Sequence, residues 1–234
     1  MKTIKTIGII GGMSWESTAT YYRIINRVVY ERLGGLNSAR VILYSFNFDQ
    51  ISQLQKAGKW EEAGEELAHA GRNLEKAGAD FLVIATNTMH KVAEAVENAV
   101  KVPLLHIADP TAEAVSSKGI TKVGLIGTAF TMEDDFYKKR LCQNCELEVV
   151  IPEEKERQLV HNVIFDQLCQ GQVLEQSRRQ YQKIIEDLAG QGASGVILGC
   201  TEIAMLIGPD QTDVSLFDTT EIHARRAAEL ALQD

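Results

Sequence analysis

The sequence lacks several features that would define a class of protein at once. It has only four cysteines in 234 residues, too few for a disulfide-stapled secreted domain. No apolar run approaches the ~18 residues of a membrane-spanning helix, and the apolar stretch Ile7–Ile10 is too short for a signal peptide. The net charge of -8 gives little attraction for nucleic acid. These absences predict a cytoplasmic protein with neither a membrane nor a nucleic-acid partner.

The cysteines give no sign of a metal centre. Cys142 and Cys145 form a C-x-x-C pattern, which occurs in redox and zinc sites. A zinc site would need a second pair of ligands at matching spacing, and no other cysteine pair or H-x-x-x-H accompanies this one. We therefore expect no metal site, and we expect Cys169 to pack in the core of an amphipathic helix.

Short runs rich in Ile and Val alternate with helical patterns along the whole chain. Consecutive apolar positions are typical of parallel strands that are covered by helices on both faces. The alternation predicts an α/β fold with parallel sheets and right-handed crossovers. The predicted strands are residues 4–10, 41–46, 81–85, 104–107, 123–126, 147–151, 195–198 and 214–217.

Two pairs of segments repeat at nearly the same offset. IGIIGG at Ile7–Gly12 matches VGLIGT at Val123–Thr128, 116 residues later. AGADFLVIATNT matches QGASGVILGCTE so that Thr86 aligns with Cys200, 114 residues later. The repeats predict two pseudo-symmetric, doubly wound parallel-sheet domains with the active site in the cleft between them. We place the first domain at residues 1–102 plus 217–234 and the second at 103–216.

The candidate site lies in the loops that follow the strands, because ligands of such sheets bind at the carboxyl ends of the strands. Amides and hydroxyls are plentiful in these loops, at residues 11–14, 86–88, 127–128 and 200–202, and they suit a small carboxylate better than a long cofactor. Gly8, Gly11 and Gly12 lack the G-x-G-x-x-G spacing, which disfavours NAD.

Cys200 is the reactive candidate among these loop residues. It follows Gly199 at a strand end and precedes a predicted helix, so we expect the pKa of its thiol to be lowered. Ser14 is expected to cap the helix after the first strand. His90 and His106 lie near the same strand ends, and we expect both to be structural polar residues, although a histidine is easily tuned to act as a base.

The chain resembles the aspartate/glutamate racemase superfamily, and it is most similar to the bacterial aspartate and broad-specificity amino-acid racemases. The motifs that carry the resemblance are IGIIGGMSWEST, TNTMHK, LLHIAD, LGCTEI and FDTTEIHA, spread over the whole sequence. The resemblance implies a homodimer that transfers the α-proton of an amino acid without a cofactor. It also implies two cysteines, one for each face of the α-carbon.

Only one of these cysteines is present. Cys200 occupies the G-C-T-E position, whereas Thr86 stands where the superfamily has the first cysteine, in C-N-T. The other residues that match substrate-contacting segments of the superfamily are Met13, Asn87, Thr88, Thr128 and Thr201, with Gln55 in the segment between the second strand and the second helix. The overall pattern favours aspartate and glutamate as substrates.

The threonine has a chemical consequence, because an alcohol is a poor base at neutral pH whereas a thiol can be tuned toward it. We hypothesise that Cys200 deprotonates the L-enantiomer, with slow or absent turnover from the D-enantiomer. Two alternatives stay open: a single-cysteine decarboxylase or isomerase of a small dicarboxylic acid in the same superfamily, and an amino-acid-binding protein without catalysis.

Overall fold

The computed structural model describes residues 4–143 and 147–233, which form two compact units. One unit extends to Ile107 and resumes at His223; the other is Ala108–Ile222. Each contains a four-stranded parallel sheet flanked by helices. The predicted α/β class with two parallel-sheet domains is therefore confirmed.

The first unit contains β1 to β4 in the spatial order β2-β1-β3-β4, all parallel. These strands are β1 (Thr6–Gly11), β2 (Arg40–Ser45), β3 (Phe81–Ile84) and β4 (Leu104–Leu105). Its helices are α1 (Trp15–Leu33), α2 (Phe48–Lys56), α3 (Trp60–Lys76) and α4 (Ala93–Glu97), with a 3-10 helix at Thr88–Val92. β1 and β3 are buried along their whole length, whereas the edge strand β2 is partly exposed, as its position in the sheet requires.

The second unit repeats this arrangement, with the order β6-β5-β7-β8 and all strands parallel. Its strands are β5 (Lys122–Gly127), β6 (Glu148–Val150), β7 (Gly195–Gly199) and β8 (Ser215–Asp218). Its helices are α5 (Ala108–Ser117), α6 (Ala129–Glu133), α7 (Asp135–Gln143), α8 (Glu154–Asp166), α9 (Glu175–Gly190) and α10 (Ile203–Leu206), with 3-10 helices at Leu168–Gln170 and Pro209–Gln211. The shared strand order is what the repeated segments predict.

The repeated glycines have the same packing role in both units. A Cβ on Gly8 would lie 2.6 Å from a side-chain atom of Leu82, and one on Gly124 would lie 3.0 Å from Leu188 and Val196. Both glycines therefore let neighbouring side chains approach the first strand of their sheet. This packing accounts for a glycine at each of these two positions.

Both divisions between the units lie later in the chain than the sequence suggested. We placed the first division after residue 102, but β4 pairs with β3, and the chain leaves the first unit only after Ile107. We placed the second before Phe217, but Phe217 and Asp218 pair with β7. The last helix, α11 (Thr219–Ala231), starts in the second unit and belongs to the first from His223 onward. Strand pairing, which a single sequence does not display, sets these boundaries.

Two findings bear on partners and apply to the described residues alone. No helix among them has both the length and the apolarity that crossing a bilayer requires. No group of three or more His, Cys, Asp or Glu side chains in that part of the chain could hold a metal ion.

Candidate active site

The loop after β1 carries Met13, and its backbone conformation depends on a glycine. Gly12 has a φ of 83°, and a Cβ there would lie 2.3 Å from the carbonyl oxygen of Phe46. Only a glycine at position 12 therefore lets the loop pass this close to the main chain of Phe46. Met13, 4% exposed, follows directly and packs in the core, and Ser14 caps α1 through its hydroxyl, as predicted.

The loop after β3 carries Thr86, Asn87 and Thr88. Asn87 and Thr88 are buried and Thr86 is half-buried. Gln55, near the end of α2, reaches the 3-10 helix that follows this loop: its Nε2 lies 3.0 Å from the sulfur of Met89. The first unit therefore brings Gln55 next to the Thr86–Thr88 loop. Met13 packs in the same core cluster as Met89.

The second unit places Thr128 and Cys200 at neighbouring strand ends. Gly127 of β5 pairs in register with Gly199 of β7, so the residues that follow them, Thr128 and Cys200, lie side by side at the sheet edge. The Thr128 hydroxyl accepts a hydrogen bond from the amide of Thr131 at 3.3 Å and caps α6. Both site residues are buried.

Cys200 forms a buried hydrogen-bonded group with its two successors. Its thiol donates to Oε2 of Glu202 at 3.0 Å, and the Thr201 hydroxyl donates to the same oxygen at 2.6 Å. Glu202 is 4% exposed. The carboxylate is thus an acceptor held within reach of the thiol proton.

The expected lowering of the Cys200 pKa is wrong for this structure. Burial, then the Glu202 carboxylate and Cys169, raise the pKa of the Cys200 thiol well above its ordinary value. The helix that follows, α10, has only four residues, so its dipole offers little compensation. The resting thiol is therefore protonated.

The other cysteines fit structural roles. Cys169 packs against the core cluster around α8 and α9, as expected, but it lies in the 3-10 helix Leu168–Gln170 rather than in an amphipathic α-helix. Burial raises its pKa to about 12. Cys142 is exposed and donates to the Leu147 carbonyl at 3.0 Å. Its C-x-x-C partner, Cys145, lies outside the described residues.

Sequence reasoning assigned no role to Glu202, and it left His90 as a structural residue. The signal for Glu202 was its place two residues after Cys200 in G-C-T-E. His90 is buried, its Nδ1 lies 2.8 Å from the Thr86 carbonyl oxygen, and its Nε2 lies 3.2 Å from the Ile107 amide. These contacts depend on where β3 and β4 end, which the sequence located only approximately.

The fold and the strand-end residues define a two-unit α/β protein with a cysteine at the end of a central strand. The model of the Asp/Glu/hydantoin racemase family matches residues 10–227. The chain therefore belongs to the Asp/Glu/hydantoin racemase family, and racemases are isomerases.

Individual proteins that are similar to this chain are consistent with its place in the family. A Yersinia pestis protein crystallised as a candidate Asp/Glu racemase is 49% identical, with a TM-score of 0.92 over 98% of this chain and 100% of its own. The crystal structure of an aspartate racemase homologue from Pyrococcus horikoshii is 37% identical, with a TM-score of 0.84 over 98% and 100% of the two chains. The broad-specificity amino-acid racemase RacX of Bacillus subtilis is 24% identical over 94% of this chain and 95% of its own.

Proposed function

We propose that this protein is a cofactor-independent racemase of aspartate and glutamate that removes the α-proton of the L-enantiomer through Cys200. The supporting observation is the buried Cys200–Glu202 hydrogen bond at the carboxyl end of β7, in a chain that belongs to a racemase family. The similar proteins named above include an aspartate racemase homologue and a candidate Asp/Glu racemase, which favours acidic substrates.

Glu202 is the residue that makes a base of Cys200. The thiol proton passes to the carboxylate when substrate is bound, and the thiolate then removes the α-proton. The transfer keeps the charge of the pair constant, so it avoids burying a second negative charge. The transfer is compatible with catalysis as long as it costs less than the barrier of ~16 kcal/mol that corresponds to a turnover near 10 per second.

Thr86 serves the opposite face of the α-carbon as a proton donor to the carbanion, with water replenishing its proton. Its hydroxyl is too weakly acidic to become a resting alkoxide. The six remaining candidate residues contact the substrate in this proposal: Met13, Gln55, Asn87, Thr88, Thr128 and Thr201. The side-chain hydroxyls and amides among them orient its carboxylates.

The directional hypothesis has a thermodynamic limit. The two enantiomers have equal free energy in water, so kcat/KM must be the same in both directions of a completed racemisation. The asymmetry between a thiol and an alcohol is therefore expected in kcat and KM taken separately, with the lower kcat from the D-enantiomer. A complete absence of D-to-L turnover is incompatible with L-to-D racemisation.

The test follows the α-proton of both enantiomers of aspartate and glutamate in deuterium oxide, by proton NMR together with chiral chromatography. We expect α-deuteration and inversion of the L-substrates, both abolished in Cys200→Ala and retained in the matched control Cys142→Ser. Binding of amino acids without any α-proton exchange would instead identify a binding protein. Release of carbon dioxide from substituted malonates would identify a decarboxylase.

A homodimer completes the proposed function. The first unit exposes large apolar side chains on α1 and the edge strand β2, including Trp15 at 67%, Tyr22 at 57% and Leu43 at 49%. Apolar residues grouped in this way on a surface often mark an interface. Sedimentation velocity is expected to give the mass of a dimer for the wild type and a monomer for Tyr22→Glu combined with Leu43→Glu.

A further inference from the structure

The main chain at Thr86 is held by a side chain immediately beyond the sheet. The preceding amide, that of Ala85, donates to the Ile10 carbonyl at 2.9 Å. The Thr86 carbonyl oxygen instead lies 2.8 Å from Nδ1 of His90. His90 therefore fixes the peptide group that follows the Thr86 Cα, and the Ser17 hydroxyl, which donates to the Ala85 carbonyl at 3.1 Å, holds the one before it.

The partners of His90 determine its tautomer. A carbonyl oxygen can only accept a hydrogen bond, so Nδ1 carries the proton and donates to Thr86. A backbone amide can only donate, so Nε2 is unprotonated and accepts from Ile107 at 3.2 Å. Burial, followed by the charges of His106 and His223, lowers the pKa of His90 well below its usual range. The ring is thus neutral, with one proton in a defined place.

Two further histidine rings pack around the His90 ring. The ring centroid of His106 lies 4.4 Å away and that of His223 lies 6.0 Å away. His223 is itself fixed, because its Nε2 donates to the Leu105 carbonyl at 2.9 Å and its Nδ1 accepts from the Tyr21 hydroxyl at 2.8 Å. His90 is consequently a rigid support for Thr86.

We propose that His90 is a positioning residue for the inversion step: its Nδ1–H bond to the Thr86 carbonyl holds the Thr86 hydroxyl where it can protonate the carbanion. This inference rests on the proposed function, in which Cys200 performs the abstraction. His90 acts through the main chain of the first unit, whereas Cys200 and its acceptor Glu202 lie in the second. Loss of the His90 bond therefore lowers inversion and leaves proton abstraction in place.

Two amide substitutions separate the contacts of His90. In His90→Asn the side-chain NH₂ takes the place of Nδ1 and donates to Thr86. In His90→Gln the amide oxygen takes the place of Nε2 and accepts from Ile107, but no donor remains for Thr86. His69 is exposed on α3, where its Nε2 lies 3.0 Å from the side-chain amide of Asn73, so His69→Gln is the matched control.

Two reactions measure the two steps. Conversion of L-aspartate to D-aspartate, followed by chiral chromatography, requires abstraction and inversion. Chloride release from 3-chloro-L-aspartate requires abstraction alone. The α-proton passes to Cys200, the electron pair forms a carbon–carbon double bond, and the chloride leaves. The resulting enamine tautomerises to an imine, which hydrolyses to oxaloacetate and ammonia. For His90→Gln we expect the kcat of inversion to fall about tenfold or more, with chloride release within about twofold of the wild type.

His90→Asn is expected to restore inversion to within about threefold of the wild type, and His69→Gln to change neither rate. Nitrogen NMR of the imidazole groups should show the Nδ1–H tautomer at position 90 in the wild type, a readout that does not depend on a variant that folds. An Nε2–H tautomer, an equal loss in the Asn and Gln variants, or a parallel fall of both rates would overturn the inference. A wild type that produces neither D-aspartate nor chloride would overturn the proposed function instead.

Discussion

Replacing Glu202 by glutamine tests the proposed source of the thiolate. The thiol sulfur and the carboxylate oxygen are 3.0 Å apart. Two full negative charges at that distance repel by about 5 kcal/mol at an effective dielectric constant near 20. The pair therefore does not hold two negative charges, and the thiol keeps its proton in the resting protein. Glu202→Gln removes both this repulsion and the internal acceptor for the thiol proton.

Loss of the charge should increase the reactivity of the Cys200 thiol, whereas loss of the proton acceptor should decrease the rate of racemisation. Without the neighbouring charge the pKa of Cys200 falls, so alkylation of Cys200 by iodoacetamide should reach half of its maximal rate at a lower pH than in the wild type. Without the acceptor, racemisation should fall by about 10²-fold or more, the usual contribution of a positioned acid–base group. Mass spectrometry of the Cys200 peptide distinguishes its alkylation from that of the exposed Cys142.

The combination of higher thiol reactivity and lower turnover is specific to the proposed role. If both increased, Glu202 would only suppress the thiolate, and the proton transfer to its carboxylate would be refuted. If alkylation were unchanged, the hydrogen bond would not control the protonation of the thiol.

Three further changes test the structure. In a urea titration, Gly12→Ala should lower the free energy of unfolding by about 3 kcal/mol or more, because φ is 83° and a Cβ would meet backbone atoms. Gly58 has a φ of 68° but open space around it, so Gly58→Ala should lower the same quantity by only about 1 kcal/mol. As pH falls below 6.5, His90 takes up a proton in the unfolded chain, whereas its ring stays neutral in the folded protein. The free energy of unfolding of the wild type should therefore fall by up to about 1.4 kcal/mol per pH unit more than that of His90→Asn. Parallel pH profiles of the two proteins would contradict this. Thr219→Val removes a buried 2.8 Å hydrogen bond to the Leu198 carbonyl and should cost about 1–3 kcal/mol by calorimetry, whereas Thr219→Ser, which keeps the hydroxyl, should cost less.

Most of the fold could be predicted because its signals are local and repeated. Consecutive apolar residues mark β1, β3, β5 and β7, and these strands are buried apart from Lys122 at the start of β5. The repeat adds the shared topology. The unit boundaries could not be predicted, because they depend on which strand β4 and β8 pair with.

The candidate site was predictable as a set of positions, but its electrostatics were not. Thr86 and Cys200 follow the ends of β3 and β7, where the alignment of the repeats places them. The pKa of Cys200 was predicted in the wrong direction, because burial and the orientation of the Glu202 side chain determine it. Neither quantity is encoded in the motif G-C-T-E itself.

The two strand ends match in sequence, yet each is supported by a different group. At Cys200 the neighbouring side chain is a carboxylate that accepts a hydrogen bond from the thiol itself, so in the proposed reaction it acts on the chemistry of the side chain. At Thr86 the neighbour is a neutral imidazole that bonds to the main chain, so it acts only on position. An acceptor is useful beside a base, whereas a proton donor needs placement more than activation. The neighbours of Cys200 and Thr86 therefore favour the same roles as the two side chains themselves, with Cys200 as the base and Thr86 as the proton donor. Variants of Glu202 should affect proton abstraction, and variants of His90 should affect inversion.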